Sequence, residues 1–584
     1  MIYLILLPMI AALFLIAFVR ERTIRSSYTA ISMAFLSFIT SAAMFYAYFS
    51  DNLIENYSWF KIGGYSFQIS LIANNLHLLM AVVVSFISLL ILIFSIFYMR
   101  REKQKRYYFE MSLFIFAMLG LVISDSLILF YIFWELMSIS SYLLISFRYD
   151  KKPASDAAKK ALILTKIGDV SLLTAIIILF ANTGTFSITS ILSSLSTIPQ
   201  IYVISASILF VIAALSKSAQ FPFYVWLPDA MEAPTTVSAL LHSATMVASG
   251  VFLLVVLSPL LQASGIFPYL LTVSLITIFI SSLLALDSVD TKRILAYSTI
   301  DSLAFMFLAV ATLNADGALF YLIMHAVFKS LLFLLAGELL ILFGTRNIFR
   351  LRADRIGKPI FYIPAFIGLA SLAGIPPFLG FFAHAALSYN FSIGVELLFS
   401  IATFLTSLFS FRLFFTVYRY KGTGRVREDI TAKIPIIILS VLSVAGGFSL
   451  FAFNSIIPIS YSFGLFLLFD SIVALLGMSA AYYLYFNRNV SYAWLGRRLK
   501  SVFRGWTYDR VLTTIGLAFT RFGDMVGSFE NTLRILVDKL GSLSLSLSYH
   551  SRRLQNGDLS SYMVIFIIGV ILLMILLLGS VKLW

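Results

Sequence analysis

The sequence predicts an all-α, polytopic membrane protein, and three observations carry that prediction. Apolar residues make up 60% of the 584 residues and charged residues only 12%, with a mean hydropathy of +0.97. A soluble domain carries about a quarter charged residues. Apolar runs long enough to cross a bilayer recur along the chain, and lysine and arginine gather in alternate loops between them. The net charge of +15 therefore reads as membrane topology and not as a nucleic-acid surface. There are no cysteines, which excludes disulfides, thiolate zinc sites, Cys-ligated iron–sulfur clusters and cysteine nucleophiles. Five histidines give haem ligation little support.

Taken in order, the spans fall at 2–18, 28–49, 76–98, 108–123, 125–147, 158–181, 201–226, 234–257, 268–286, 294–312, 316–343, 360–382, 389–419, 433–455, 462–486 and 561–580. That is about sixteen transmembrane helices. The first has no basic region before it and no clear small-residue cleavage site, so it reads as a retained helix. Basic loops follow odd-numbered spans at 20–25, 100–106, 148–160, 290–293, 346–358 and 419–427, and the acidic "PDAMEAP" is the exception. The positive-inside rule then puts these loops in the cytoplasm and both termini on the outer side of the cell membrane. Residues 488–560 are polar, basic and amphipathic at helical spacing, as in Leu533, Leu536, Val537 and Leu540. They predict a lateral amphipathic helix on the cytoplasmic face, on the order of 80–100 Å long if mostly helical, with a linker of short helices as the duller reading. Six regions follow: N-terminal helices at 1–107, five-helix units at 108–257 and 258–420, additional spans at 421–487, the lateral segment at 488–560 and a membrane anchor at 561–584.

Within these spans lie charges that lipid would not tolerate. They are Glu135, Lys166, Asp169, Lys217, His242, Asp301, His325, Lys329, Glu338 and His384. A charge at the bilayer centre costs about 2.5–3.5 kcal/mol on insertion scales, so such residues face the protein interior and mark ion or proton paths. The residue types point to protons: Glu, Lys and His exchange them when burial brings their pKa near neutrality, whereas Arg does not. The bland reading is a static set of buried ion pairs that ties helices together. Backbone breaks favour transport. Pro222 follows Lys217, and Pro376 and Pro377 precede His384. Interrupted helices at matching places predict two inverted five-helix repeats with discontinuous helices at a midplane site.

The stretch "ALSKSAQFPFYVWLPDAMEAPTTVSALLHSATMVASGVFLL" resembles the signature of the antiporter-like proton-translocating subunits of respiratory complex I. "FYIFWELMSISSYLLISF", "KIGDVSLL", "DTKRILAYSTIDSLAFMFLA" and "LFYLIMHAVFKSLLFLLAGE" match in order, and the lateral tail with a final span resembles the L-type subunit. The resemblance implies a non-redox, proton-translocating subunit of an NADH-quinone-oxidoreductase-like translocase, partnered by other membrane-arm subunits. FMN, iron–sulfur clusters and quinone would belong to the partners, and this chain would hold no cofactor and no metal. It implies that Glu135 and Lys217 form the proton-loading pair with Lys166 and Asp169 beside them, that His242, His325 and Lys329 form a central relay, and that His384 stands where the family has a lysine. "FFAHAAL" also lacks the acid that usually follows that lysine, Asp301 replaces an uncharged residue, and Asn74 replaces an aspartate. Subunits of Mrp-type sodium/proton antiporters and of membrane-bound hydrogenases share the core motifs. A structural subunit with a decayed relay is a further alternative.

Overall fold

The computed structural model describes residues 1–19, 25–49, 52–62, 65–351, 359–418, 429–449 and 465–487, with isolated positions at 456, 539, 542, 546, 564, 566–569 and 571–572. The chain divides into two units, Met1–Arg498 and Leu499–Trp584. In the second unit, residues 566–569 and 571–572 are helical. The expected lateral helix and most of the expected anchor lie outside the described residues.

In the first unit the helices are α1 (Ile2–Phe18), α2 (Arg25–Ala47), α3 (Asn75–Tyr98), α4 (Gln104–Val122), α5 (Leu127–Ile145), α6 (Lys152–Thr183), the short α7 (Ile188–Ser193), α8 (Gln200–Lys217), the single turn α9 (Trp226–Asp229), α10 (Thr235–Ser243), α11 (Ala248–Val256), the short α12 (Ser258–Ser264), α13 (Phe267–Asp287), α14 (Thr291–Ala311), α15 (Ala315–Phe343), α16 (Pro359–Leu372), α17 (Leu379–Leu387), α18 (Ile393–Val417), α19 (Ile430–Ala445) and α20 (Leu465–Ala481). Among the described residues, twelve spans are long and apolar enough to cross a membrane, and Ile2–Phe18 and Phe361–Leu372 are shorter apolar helices. The prediction of a polytopic helical membrane protein holds.

Burial sorts these helices. The apolar windows of 235–256 and 291–311 are 94% buried, whereas that of α2 is 22% buried. The centre of the bundle is thus α10, α11, α14 and α15, with α15 packed on α3, α10, α14, α16, α17 and α19. Apolar surface on α2 faces outward because a hydrocarbon solvent tolerates it.

One element is not helical. Strands β1 (Leu53–Ile62) and β2 (Tyr65–Ala73) form an antiparallel hairpin, with Leu53 opposite Ala73 and an irregularity between Ser58 and Phe60. Strand β2 alternates apolar and polar residues over 65–71 (YSFQISL), the period-2 signal of a strand, while β1 alternates only over part of its length. Hydropathy alone reads the segment as a loop. The hairpin is tied to the bundle by Asp125, whose carboxylate accepts from Ser70 Oγ (3.2 Å), Ser187 Oγ (2.7 Å), and the N–H (3.1 Å) and Oγ1 (2.6 Å) of Thr189. The N-terminal amine adds an ion pair to Glu55 at 3.1 Å.

Among the described residues, the basic loops at 100–106, 148–160, 290–293 and the start of 346–358 meet at one end. Arg100 pairs with Asp429 (2.6 Å) and Arg148 with Glu102 (2.5 Å). The acidic loop that broke the charge alternation lies among them. Asp229 accepts from Lys160 (2.8 Å) and Arg293 (3.5 Å), and Arg346 pairs with both Glu232 (3.1 Å) and Asp290 (3.2 Å). Lys292, buried at 2% exposure, donates to the carbonyls of Met231 (2.7 Å) and Ala233 (2.6 Å). "PDAMEAP" therefore sits with the basic loops, its charge matched by three of them.

Candidate functional site: a buried row of charges through broken helices

Three interruptions place the central side chains. Helix α8 ends at Lys217, and residues 218–225, which include Pro222, are not helical. Proline has no N–H to continue the ladder. The freed groups are satisfied: Trp226 Nε1 donates to Ser216 O (3.1 Å), Gln220 N to Leu215 O (2.8 Å), and Gln220 Nε2 to Ser218 O (2.9 Å) and Ile300 O (3.3 Å). The second interruption, at 244–247, splits the expected span at 234–257 into α10 and α11. Ser218 Oγ donates across to Val247 O (2.7 Å), so the two breaks bond to each other. The third, at 373–378, includes Pro376 and Pro377 and separates α16 from α17. His384 is thereby carried within a half-helix of its own and not at the end of a span running to 382.

At the first break, four charges alternate in sign. Lys217 Nζ, fully buried, lies 3.3 Å from Asp169 Oδ1, 3.3 Å from Trp134 O and 4.7 Å from the Trp134 ring centroid, and it also donates to Ser138 Oγ. Asp169 accepts from Trp134 Nε1–H (2.7 Å) and Ser138 Oγ (3.1 Å). Lys166, one turn back on α6, is 3.6 Å from Asp169 and forms an ion pair with Glu135. Glu135 also accepts from Tyr131 OH at 2.9 Å. The direct carboxylate partner of Lys217 is thus Asp169, and the ion pair of Glu135 is with Lys166. This corrects the expected Glu135–Lys217 contact: Trp134 and Ser138, on either side of Glu135 along α5, make the direct contacts to Lys217, while the Glu135 carboxylate turns to Lys166 and Tyr131. Gly168 makes the approach of α6 to α8 close enough. A Cβ there would meet Ser216 Cβ at 2.6 Å. The outer end of the row is open, since Lys166 is 42% exposed and Glu135 19%.

Inward, the row continues through the centre of the bundle. His242 on α10 is fully buried against Phe333, with ring centroids 5.1 Å apart, and neither ring nitrogen has a protein hydrogen-bond partner. His325 Nδ1 lies 3.2 Å from the carbonyl of Ser243, the residue after His242, and its Nε2 is unpartnered. One turn along α15, Lys329 Nζ donates to Ser298 Oγ at 2.6 Å. Asp301, one turn along α14 from Ser298, accepts from Ser282 (2.9 Å), Ser281 (3.5 Å) and Thr406 (2.7 Å). Buried nitrogens without protein partners are ordinarily satisfied by water, and the polar hydroxyls around them suit it.

His384 lies among aromatic rings, stacked on Tyr321 (5.8 Å, 17°) and edge-on to Phe399 (5.1 Å) and Phe305 (5.8 Å). Gly374 packs beneath it with φ +70°, and a Cβ there would sit 2.6 Å from His384 Nδ1. Glu338 stands apart near the basic end of α15, with Lys433 of α19 as its charged neighbour. Sequence reading missed Lys292 and a buried acid pair, Glu396 on α18 and Asp470 on α20. Each of those two acids is an isolated carboxyl in an apolar span, the same signal that singled out Glu135. No group of His, Asp and Glu suited to a metal ion occurs among the described residues.

The class of protein so defined is a polytopic membrane protein with a titratable axis threaded through interrupted helices. Residues 124–410 match the family described as NADH:quinone oxidoreductase/Mrp antiporter, transmembrane, and residues 59–109 match the N-terminal region of complex I chain 5. The chain is 33% identical to the chloroplastic NAD(P)H-quinone oxidoreductase subunit 5 of Chara vulgaris, over 94% of this chain and 93% of that one. It is 32% identical to NADH-quinone oxidoreductase subunit L of Buchnera aphidicola subsp. Schizaphis graminum, over 90% and 89%. Among solved structures, a chain of the Mrp complex from Dietzia sp. DQ12-45-1b is similar with a TM-score of 0.77 at 26% identity, covering 90% of this chain and 59% of that one. The chain belongs to the complex I/Mrp antiporter-like family, as its motifs predicted.

Proposed function

We propose that the chain is the proton-translocating membrane subunit of a complex I-like respiratory assembly, driven by electron transfer to quinone in other subunits. The observation that carries this reading is the unbroken alternation Glu135–Lys166–Asp169–Lys217, with His242, His325 and Lys329 buried deeper at the helix breaks. Lys166 is shared between two carboxylates. When it closes on Asp169, the field that Asp169 exerts on Lys217 weakens and Lys217 releases its proton toward His242. When a neighbouring subunit draws Lys166 outward, Asp169 is freed to hold Lys217 charged. Water bridges the steps between helices, and His384 receives the proton beyond Lys329. A static set of ion pairs would leave no reason for two unpartnered nitrogens on His242.

In this reading the subunit lies in the cell membrane with its basic loops in the cytoplasm. It holds no redox cofactor, and FMN, iron–sulfur clusters and quinone reside in partner subunits. The test is proton pumping by the intact complex in vesicles, carrying Glu135→Gln or Lys217→Ala at unchanged assembly. Pumping stoichiometry falls in both, and normal stoichiometry in both would sink the proposal. The second reading is a subunit of an Mrp-type sodium/proton antiporter, supported by the similarity to the Mrp complex chain. The end-to-end match to the quinone oxidoreductase subunits favours the first reading, and the partner subunits purified with the chain discriminate the two.

A further inference from the structure

Helix α18 carries a polar face that the relay does not use. Glu396, Ser400, Thr403, Thr406, Ser407 and Ser410 recur at three- and four-residue spacing, so they share one side of the helix. All are buried, at 4% exposure or less. One end of this face meets the relay, where Thr406 Oγ1 donates to Asp301 at 2.7 Å. The other end meets Asp470 of α20. Ser400 Oγ contacts both the Glu396 carbonyl (3.0 Å) and Asp470 Oδ1, and the two carboxyl groups adjoin. Between them Thr403 Oγ1 is fully buried without a partner, and Glu396 Oε1 and Asp470 Oδ2 are buried without partners as well. Helix α18 runs from this acid pair to Val417, and near that far end Arg412 donates to Ala285 O (3.2 Å) beside the basic loop at 290–293, so the pair lies at the end away from the basic loops. His384 is near the same route, with its ring 5.1 Å from that of Phe399, one turn past Glu396.

Two adjoining carboxyl groups away from water share one proton far more readily than they carry two negative charges. Orphaned oxygens on a buried acid and a buried threonine are the positions where water would complete a hydrogen-bonded file. We propose that the Glu396–Asp470 pair is the outlet of the proton path. It takes up the proton that leaves Lys329, by way of Asp301, Thr406, Thr403 and Ser400, and releases it at the end of the bundle opposite the basic loops. The pair supplies, from two neighbouring helices, the acid that "FFAHAAL" lacks beside His384. This rests on the proton-translocating reading above.

The experiment uses the intact complex in sodium-free vesicles, with the ratio of protons moved to electrons transferred as readout. Glu396→Gln, Asp470→Asn and Thr403→Val are compared with Lys329→Ala, and Glu396→Asp serves as the conservative variant. The expected result is that Glu396→Gln and Asp470→Asn lose as much of the ratio as Lys329→Ala, that Thr403→Val slows release, and that Glu396→Asp keeps most of it. Wild-type ratios in both acid variants while Lys329→Ala is impaired would overturn the outlet and leave the translocation reading standing. A wild-type ratio in Lys329→Ala would overturn the translocation reading itself. Infrared difference spectra of the wild-type complex give a readout independent of variant folding. A protonated-carboxyl band that changes during turnover and is missing in Glu396→Gln or Asp470→Asn supports the shared proton, and its persistence in both variants overturns it.

Discussion

Lys217 Nζ lies 3.3 Å from Asp169 Oδ1, with both side chains buried at 1% exposure or less. Both lie away from bulk solvent, so each depends on the other, on Ser138 and on Trp134, and Asp169 also on Lys166. Removing one partner of a buried pair leaves an uncompensated charge and costs roughly 3–5 kcal/mol. Asp169→Asn is therefore expected to lower the thermal unfolding temperature of the purified complex in detergent. Glu135→Gln, whose partner Lys166 is half-exposed, shifts it much less. Equal shifts would show that Asp169 is not the anchor of Lys217.

Gly168 sets that contact, because α6 and α8 approach at its bare Cα. Gly168→Val forces the helices apart. Overpacking of this kind costs about 1–3 kcal/mol, and it also lengthens Asp169–Lys217. The expected outcome is an assembled complex with reduced proton pumping, measured in vesicles beside the wild type. Full pumping in an assembled Gly168→Val complex would separate the contact from the function.

Lys166 is exposed on a face it shares with Ile163 (64% exposed), Ile167 (45%) and Val170 (63%). A half-exposed ammonium at membrane depth is costly against lipid, which predicts that a neighbouring subunit covers this face. Lys166→Glu sets a third carboxylate against Glu135 and Asp169 and puts an anion at the contact. It should deplete the assembled complex on native gels, while Lys166→Arg should not. Equal assembly of the two variants argues against a partner there.

Asp429 caps α19, accepting from Thr431 Oγ1 (2.6 Å) and Thr431 N–H (3.0 Å) and pairing with Arg100. The Thr431 hydroxyl, then the Thr431 amide and Arg100, hold its carboxyl below the usual carboxylate range. A depressed folded-state pKa contributes stability above the unfolded value of about 3.9 that is lost as pH falls through the folded value. Opening of the first turn of α19, followed by hydrogen exchange corrected for the intrinsic rate, should increase below about pH 4. Asp429→Asn should remove that dependence, and an unchanged profile in this variant would assign the transition to another group.

How much of this was legible in the sequence depends on the length scale of the signal. Helix identity was plain, because spanning needs a long apolar run, and so was each isolated charge, because lipid makes it conspicuous. Pro222, Pro376 and Pro377 marked where the helices break. The pairing was not legible. Glu135 and Asp169 are both carboxyls in neighbouring helices, and only the packing of α5, α6 and α8 against one another decides which one reaches the lysine. The hairpin escaped because its signal is a short alternation, over 65–71 in β2, which a hydropathy scan averages away. Glu396 and Asp470 each carry the signal that singled out Glu135, an isolated carboxyl in an apolar span, but that the two adjoin shows only when α18 and α20 pack together.

The clamp on the acidic loop bears on the order in which the chain is made. Glu232 and its partner Arg346 are 114 residues apart. At a synthesis rate of roughly 5–20 residues per second, about 6–23 seconds separate their emergence from the ribosome. For that interval α10 through α15 enter the bilayer with the Glu232 carboxylate still waiting for Arg346. Lys160, Lys292 and Arg293 reach the acidic loop earlier, so Arg346 adds the last fastening at the basic end only after the helices that carry His242, Asp301, His325 and Lys329 have been translated.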